Sequence, residues 1–118
     1  PCLLKRLRGC SCGNEYVAVT PDGDIYPCHQ FVGIEPLKIG NISQTEMNMS
    51  LRAQFAAATV FSKEKCGRCW AKYYCSGGCN ANNYACCGSI TQPHPLSCEV
   101  EKKRLECAFM IQAALMNP

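Results

Sequence analysis

Apolar residues follow two patterns along the chain: short strand-like runs in the first third and helix-period runs after residue 46. Glu15–Thr20 is rich in β-branched and aromatic residues, and Pro21-Asp22-Gly23-Asp24 follows as a turn with proline at its second position. Ile25-Tyr26 then starts a returning strand, so 15–28 reads as a hairpin that delivers Cys28 just past its end. Gly40-Asn41 reads as a loop. Ser43-Gln-Thr-Glu46 has the form of a capping box, and Met47–Thr59 reads as a helix with Leu51, Phe55 and Ala58 as its packing stripe. Short helical turns and loops are expected from Lys65 to Tyr84, and Gly88 and Pro93-His94-Pro95 mark a further loop. The last helix is expected from about Cys98 to Met116 with Ser97 as N-cap. Val100, Cys107, Ile111 and Leu115 would form its apolar face, with Cys107 a small buried hydrophobe. Cys98 would occupy the first helical position, where the helix dipole depresses a thiol pKa and makes it a credible ligand.

These elements make a small α+β fold: an N-terminal β-hairpin, irregular cysteine-rich loops and two main helices. Its core looks thin. Leu, Ile, Val and Phe number 23 of 118 residues, and domains this small with so few large apolar residues usually need staples. Twelve cysteines are the obvious staple. The formal charge of +3 is too mild to argue for nucleic acid or a membrane surface, and no apolar run is long enough to span a bilayer.

Cysteine this dense means either disulfides in an oxidising compartment or metal ligation in a reducing one. The chain opens on Pro1-Cys2 and not on Met, which reads as a fragment, so spacing has to decide. Cys2, Cys10, Cys12 and Cys28 form one group. After 37 residues without cysteine come Cys66, Cys69, Cys75, Cys79, Cys86, Cys87, Cys98 and Cys107. Cys66-x2-Cys69 lets two sulfurs face one centre from a single turn. Glycines at 67, 77 and 78 allow backbone N–H groups to approach inorganic sulfide. Iron–sulfur ligation fits this best. Zinc is the alternative, although one Cys-x2-Cys pair is half the usual signature and the thiols outnumber what one tetrahedral zinc uses. A disulfide scaffold has no need of the glycines.

Cys10-x12-Gly23-x4-Cys28, followed by Cys66-x2-Cys69-x5-Cys75-x3-Cys79 and a gap to Cys98, resembles the SPASM domain. That domain is the C-terminal auxiliary-cluster module of radical S-adenosylmethionine enzymes that modify peptides and proteins. More narrowly, Gly13 to Gly33 (GNEYVAVTPDGDIYPCHQFVG) and Tyr74 to Asn82 (YCSGGCNAN) are similar to maturases of SCIFF peptides, which install thioether cross-links in short cysteine-rich ribosomal peptides. The resemblance implies that the whole of 1–118 is one domain with two 4Fe–4S clusters. The first would be held by Cys10, Cys28 and Cys79, with Cys2 as fourth ligand, Cys12 as its competitor, or an iron left open for a substrate thiol. The second would be held by Cys66, Cys69, Cys75 and Cys98. Cys86 and Cys87 fall outside the pattern and read as structural. Because Cys75 and Cys79 would serve different clusters, the segment between them would tie both sites together, and the metal-free chain should be largely unfolded.

The Cys-x3-Cys-x2-Cys motif that cleaves S-adenosylmethionine is missing. Cys75-x3-Cys79 starts that spacing, but Asn82 stands at the next position. The radical step, its S-adenosylmethionine and its own cluster would therefore belong to a barrel outside these residues, and the chain reads as part of an enzyme. The implied partners are that barrel and a cysteine-rich precursor peptide, in the cytoplasm, with no nucleic acid and no membrane. Relay of an electron, binding of a substrate thiol and scaffolding are all open roles. The alternatives are the SPASM domain of a sulfatase-activating or quinone-cofactor-forming maturase, and a zinc-stabilised interaction module. His29, beside Cys28, is a candidate donor near the first cluster. Trp70, Tyr73 and Tyr74 are expected to shield cluster edges. Lys5, Arg6, Arg8, Lys102, Lys103 and Arg104 read as solvated charges, and His94 as loop.

Overall fold

A computed structural model describes residues 3–117. Cys2, the expected fourth ligand of the first cluster, lies outside the described residues. A short helix α1 (Leu3–Arg8), which the sequence reading missed, leads into the Cys10–Gly13 loop. The expected hairpin follows: β1 (Ala18–Val19) pairs antiparallel with β2 (Asp24–Tyr26), Ala18 opposite Tyr26. The turn closes through Gly23 N–H donating to Thr20 C=O at 2.9 Å. Gly23 has φ +86°, and a Cβ there would come within 2.6 Å of Ile42, so only glycine fits.

Gly40-Asn41, read from sequence as a loop, is instead a third strand β3 on the other edge of β2, with Asp24 opposite Asn41. Side chains fix it there. Asn41 Nδ2 donates to Asp24 Oδ1 at 2.8 Å, and Lys38 Nζ meets the same oxygen at 2.7 Å. Helix α2 (Met49–Ala57) starts later than the capping-box pattern suggests, because Asn48 is the working cap: its Oδ1 accepts from Leu51 N–H at 2.9 Å. Its stripe is as expected, with Leu51 and Phe55 buried and Ala58 buried just beyond its end.

The core gathers Ile25, Tyr26, Phe31, Leu37, Ile39, Leu51 and Phe55 beneath the sheet, together with Cys12, Cys28 and Ala81. Phe31 meets Phe55 edge-on at 5.4 Å and Tyr84 at 5.9 Å, the favoured aromatic geometry.

In the cysteine-rich stretch, a single 3-10 turn (Cys66–Arg68) and the four-residue α3 (Lys72–Cys75) match the expected short turns. Asn80–Cys87 is a longer, regular helix, α4, ended by Gly88 at φ +73°. Helix α5 runs Pro95–Met116, starting before the expected Cys98. Proline stands in its first turn and His94 is its N-cap residue. His94 N–H donates to Asn83 Oδ1 at 3.1 Å, so His94 is not merely loop. Ser97 is inside the helix and its Oγ accepts from Asn82 Nδ2 at 2.9 Å.

No residue of α5 is buried. Val100, Ile111 and Leu115 are all more than half exposed and Cys107 is exposed, contrary to the expected packing stripe. The period of that face is real, but the aromatic contacts of α5 are made by Phe109, which meets Trp70 at 6.3 Å and Tyr74 at 5.3 Å. No helix of the described residues is long and apolar enough to cross a membrane.

Candidate metal centre

Four thiols from three separate segments line one small hollow: Cys66 and Cys69 from the 3-10 turn, Cys75 from the end of α3, and Cys98 from the first turns of α5. These are the four residues expected at the second cluster. An adjoining cleft of about 240 Å³ shares Cys66, Cys69 and Cys98 and is rimmed by Glu64, Lys65, Glu99 and Lys102. The local fold explains the convergence. Cys69 N–H donates to Cys66 C=O at 3.0 Å, which turns the pair back on itself, and Cys75 N–H donates to Ala71 C=O at 2.9 Å. The Asn82–Ser97 and Asn83–His94 hydrogen bonds hold α5 against α4 and bring Cys98 over the turn.

Burial raises the Cys66 thiol, opposed by Lys63 and reinforced by Cys98, Cys75 and Cys69. Burial also raises Cys98, with Cys75 and Cys69 adding to it and Lys102 opposing. The expected depression of the Cys98 pKa is therefore overturned. Cys98 is the fourth residue of α5 and not the first, and desolvation outweighs the helix dipole there.

The second group assembles at the hairpin's end. Cys28 is buried, and its thiol is raised first by that burial, with Cys79 and Cys10 adding to it. Cys10 and Cys79 are exposed. Gln30, two residues past Cys28, reaches Cys79 Sγ with its Nε2 at 3.8 Å. Cys12 lies deeper, 2% exposed, accepting from Asn80 Nδ2 at 3.3 Å. Burial pushes its thiol up to about 12, with the neighbouring Cys10 and Cys28 contributing. Cys79 and Cys10 are thus near enough to act on Cys28, with Cys12 buried behind.

Two glycines of the expected set use their conformational freedom: Gly77 and Gly78 sit at φ +81° and +72° between Cys75 and Cys79. Gly67 has nothing near it and needs no such freedom. Cys86 and Cys87 stand apart on α4, with Cys86 Sγ donating to Asn82 Oδ1 at 3.7 Å. His29 is engaged by Tyr16 Oη at 3.2 Å. Trp70, Tyr73 and Tyr74 are all substantially exposed, and two of them pack on Phe109.

The residue that the sequence reading missed is Lys63. It is 3% exposed, and its Nζ donates to Gly77 C=O at 3.0 Å and to Asn80 Oδ1 at 2.6 Å. In sequence it sits in the charged run Lys63-Glu64-Lys65, which looks solvated.

Among the described residues no three His, Cys, Asp or Glu side chains stand close enough to share one metal ion. A 4Fe–4S cluster, in which each thiolate takes a different iron, would draw on four thiols such as these. The donor set fits such a group: all-sulfur, partly desolvated, and set among left-handed glycines. These features define a cysteine-rich module whose thiols lie on either side of the 75–80 segment.

The family comparison agrees. The SPASM family model, described as an iron–sulfur cluster-binding domain, matches residues 10–70, just over half of the 118-residue chain. The chain belongs to the SPASM family, whose members carry auxiliary iron–sulfur clusters in radical S-adenosylmethionine enzymes. The matched span includes Cys10, Cys28, Cys66 and Cys69, while Cys75, Cys79 and Cys98 lie beyond it. No curated protein matches the chain.

Proposed function

We propose that the chain holds two 4Fe–4S clusters as the auxiliary module of a radical S-adenosylmethionine enzyme that forms thioethers in a cysteine-rich ribosomal peptide. The observation that carries the two-cluster reading is the lining of one hollow by Cys66, Cys69, Cys75 and Cys98. A second set, Cys10, Cys28 and Cys79, gathers nearby. In this reading Cys2 completes the first set. The narrower assignment to SCIFF-type maturation is supported by the similarity of residues 13–33 and 74–82 and by nothing else.

When bound, such clusters supply one-electron exchange and iron that accepts a thiolate. The protein's own part is positional. Exposed Cys10 and Cys79 leave the first site facing outward, toward where a substrate thiol and the barrel would approach, whereas buried Cys28 anchors it to the hairpin. Cys66 and Cys98 are more deeply set, which suits a site that exchanges electrons or scaffolds the module.

Anaerobic reconstitution tests the reading. About eight irons per chain and a brown protein absorbing near roughly 400 nm are expected. A colourless, cooperatively folded protein carrying one or two zincs overturns it in favour of a zinc-stabilised interaction module. Thioether formation is tested with the complete enzyme and its cysteine-rich peptide: alkylation and mass spectrometry should show one thiol lost per cross-link.

A further inference from the structure

Lys63 is the one buried charged side chain among the described residues, and it has no carboxylate partner among them. The ion pairs among the described residues use Lys38, Lys102, Lys103 and Arg104. Burying an ammonium against neutral acceptors alone is costly. The groups that act on it electrostatically are thiols: Cys66 and Cys75 from one set, Cys10 from the other, and Cys12 buried between.

The position is built. The Lys63 stem lies against Gly77, where a Cβ would come within 2.6 Å of Cδ and 3.1 Å of Nζ. Its two acceptors, Gly77 C=O and Asn80 Oδ1, flank Cys79 on the segment that starts at Cys75. Its own carbonyl accepts from Cys66 N–H at 3.2 Å. One ammonium is therefore hydrogen-bonded into the strap between a thiol of each set.

We propose that Lys63 is a counter-cation shared by the two cluster sites, a fixed positive charge set between their thiolates. This rests on the two-cluster reading above. A cluster gains negative charge on reduction, so a nearby cation favours the reduced form and raises the potential. A cation between two sites must act on both.

The test is an anaerobic, EPR-monitored dithionite titration of the reconstituted full chain, the first site's signal being the one lost in Cys79→Ala. Lys63→Gln removes the charge and keeps an N–H donor for Gly77. Both midpoint potentials are expected to move to more negative values at full iron content. Lys102→Gln, at the hollow lined by the second set's thiols, should move only the second. Potentials unchanged in Lys63→Gln, or only one of them moved, would overturn the proposal. Should Lys63→Gln not fold, Asn80→Asp keeps the lysine and sets a carboxylate against it. Both potentials should again fall, and unchanged values count against the idea. A wild-type chain that takes up no iron defeats the two-cluster reading itself, a result distinct from any of these.

Discussion

Asn80 donates its Nδ2 hydrogen to the sulfur of Cys12 at 3.3 Å, the one described side-chain donor on that thiol, while its Oδ1 accepts from Lys63. Cys12 is thereby tied to the strap between the two thiol sets without standing at its outer face.

This predicts different fates for neighbouring cysteines. Cys12, buried in the core and with its pKa near 12, behaves as a small apolar group. Cys12→Ala should keep its iron and lose only about 1 kcal/mol of stability, from the lost hydrogen bond. Cys28→Ala should lose about half the iron, the share of one 4Fe–4S cluster in two. Iron analysis and urea unfolding under argon read both. Loss of iron from Cys12→Ala, with Cys2→Ala unaffected, would transfer the fourth ligand to Cys12.

Phe55 supports the first site from below. It packs edge-on against Phe31 and lies where a Cβ on Gly13 would come within 3.0 Å of it, so it sets the path of the Cys10–Gly13 loop. Phe55→Ala should cost about 3–5 kcal/mol by leaving a cavity in the core. Faster bleaching of the first cluster in air should accompany it, with the second less affected.

Asp24 gives a pH prediction. Hydrogen bonds from Lys38 and then Asn41 hold its carboxyl below the ordinary 3.8. A carboxyl whose folded pKa is depressed stabilises the fold above its unfolded pKa, and the contribution is lost as pH falls through the folded value. From pH 7.5 to 5.5 nothing should change, so Asp24→Asn should be destabilised equally at both. Urea unfolding of the pair checks this, and a gap that already widens at pH 5.5 would place the folded carboxyl above its usual value.

The hairpin could be read from sequence because its causes are local: strand formers around Thr20-Pro21-Asp22-Gly23. The thiol sets came from the family resemblance, because spacing alone would place Cys79 with Cys66, Cys69 and Cys75. What escaped depends on distant partners. β3 exists because Asn41 finds Asp24, and α5 begins at Pro95 because Asn83 caps His94 from another helix. The apolar period of α5 was visible, but periodicity says only which residues share a face, not whether anything covers it. Lys63 gave no signal beyond a glycine-rich strap 14 residues away, since its burial follows from where Gly77 and Asn80 come to lie.

Removing iron should act unevenly across this fold. The sheet, the 3-10 turn His29–Phe31 and α2 share an apolar core with paired backbone, so they hold much of their order through burial. The 63–79 stretch has little of this. It contains short turns, left-handed residues at Lys65, Ser76, Gly77 and Gly78, and a buried ammonium that faces only thiols and neutral acceptors. Without a cluster to draw its thiolates together, that ammonium loses its counter-charge and the strap its reason to close. Hydrogen exchange before and after anaerobic chelation should therefore show protection lost first over 63–79 and the start of α5, with β2 and α2 retaining theirs. Uniform loss across all segments would mean that the clusters, and not the Phe31–Phe55 core, hold the hairpin half together.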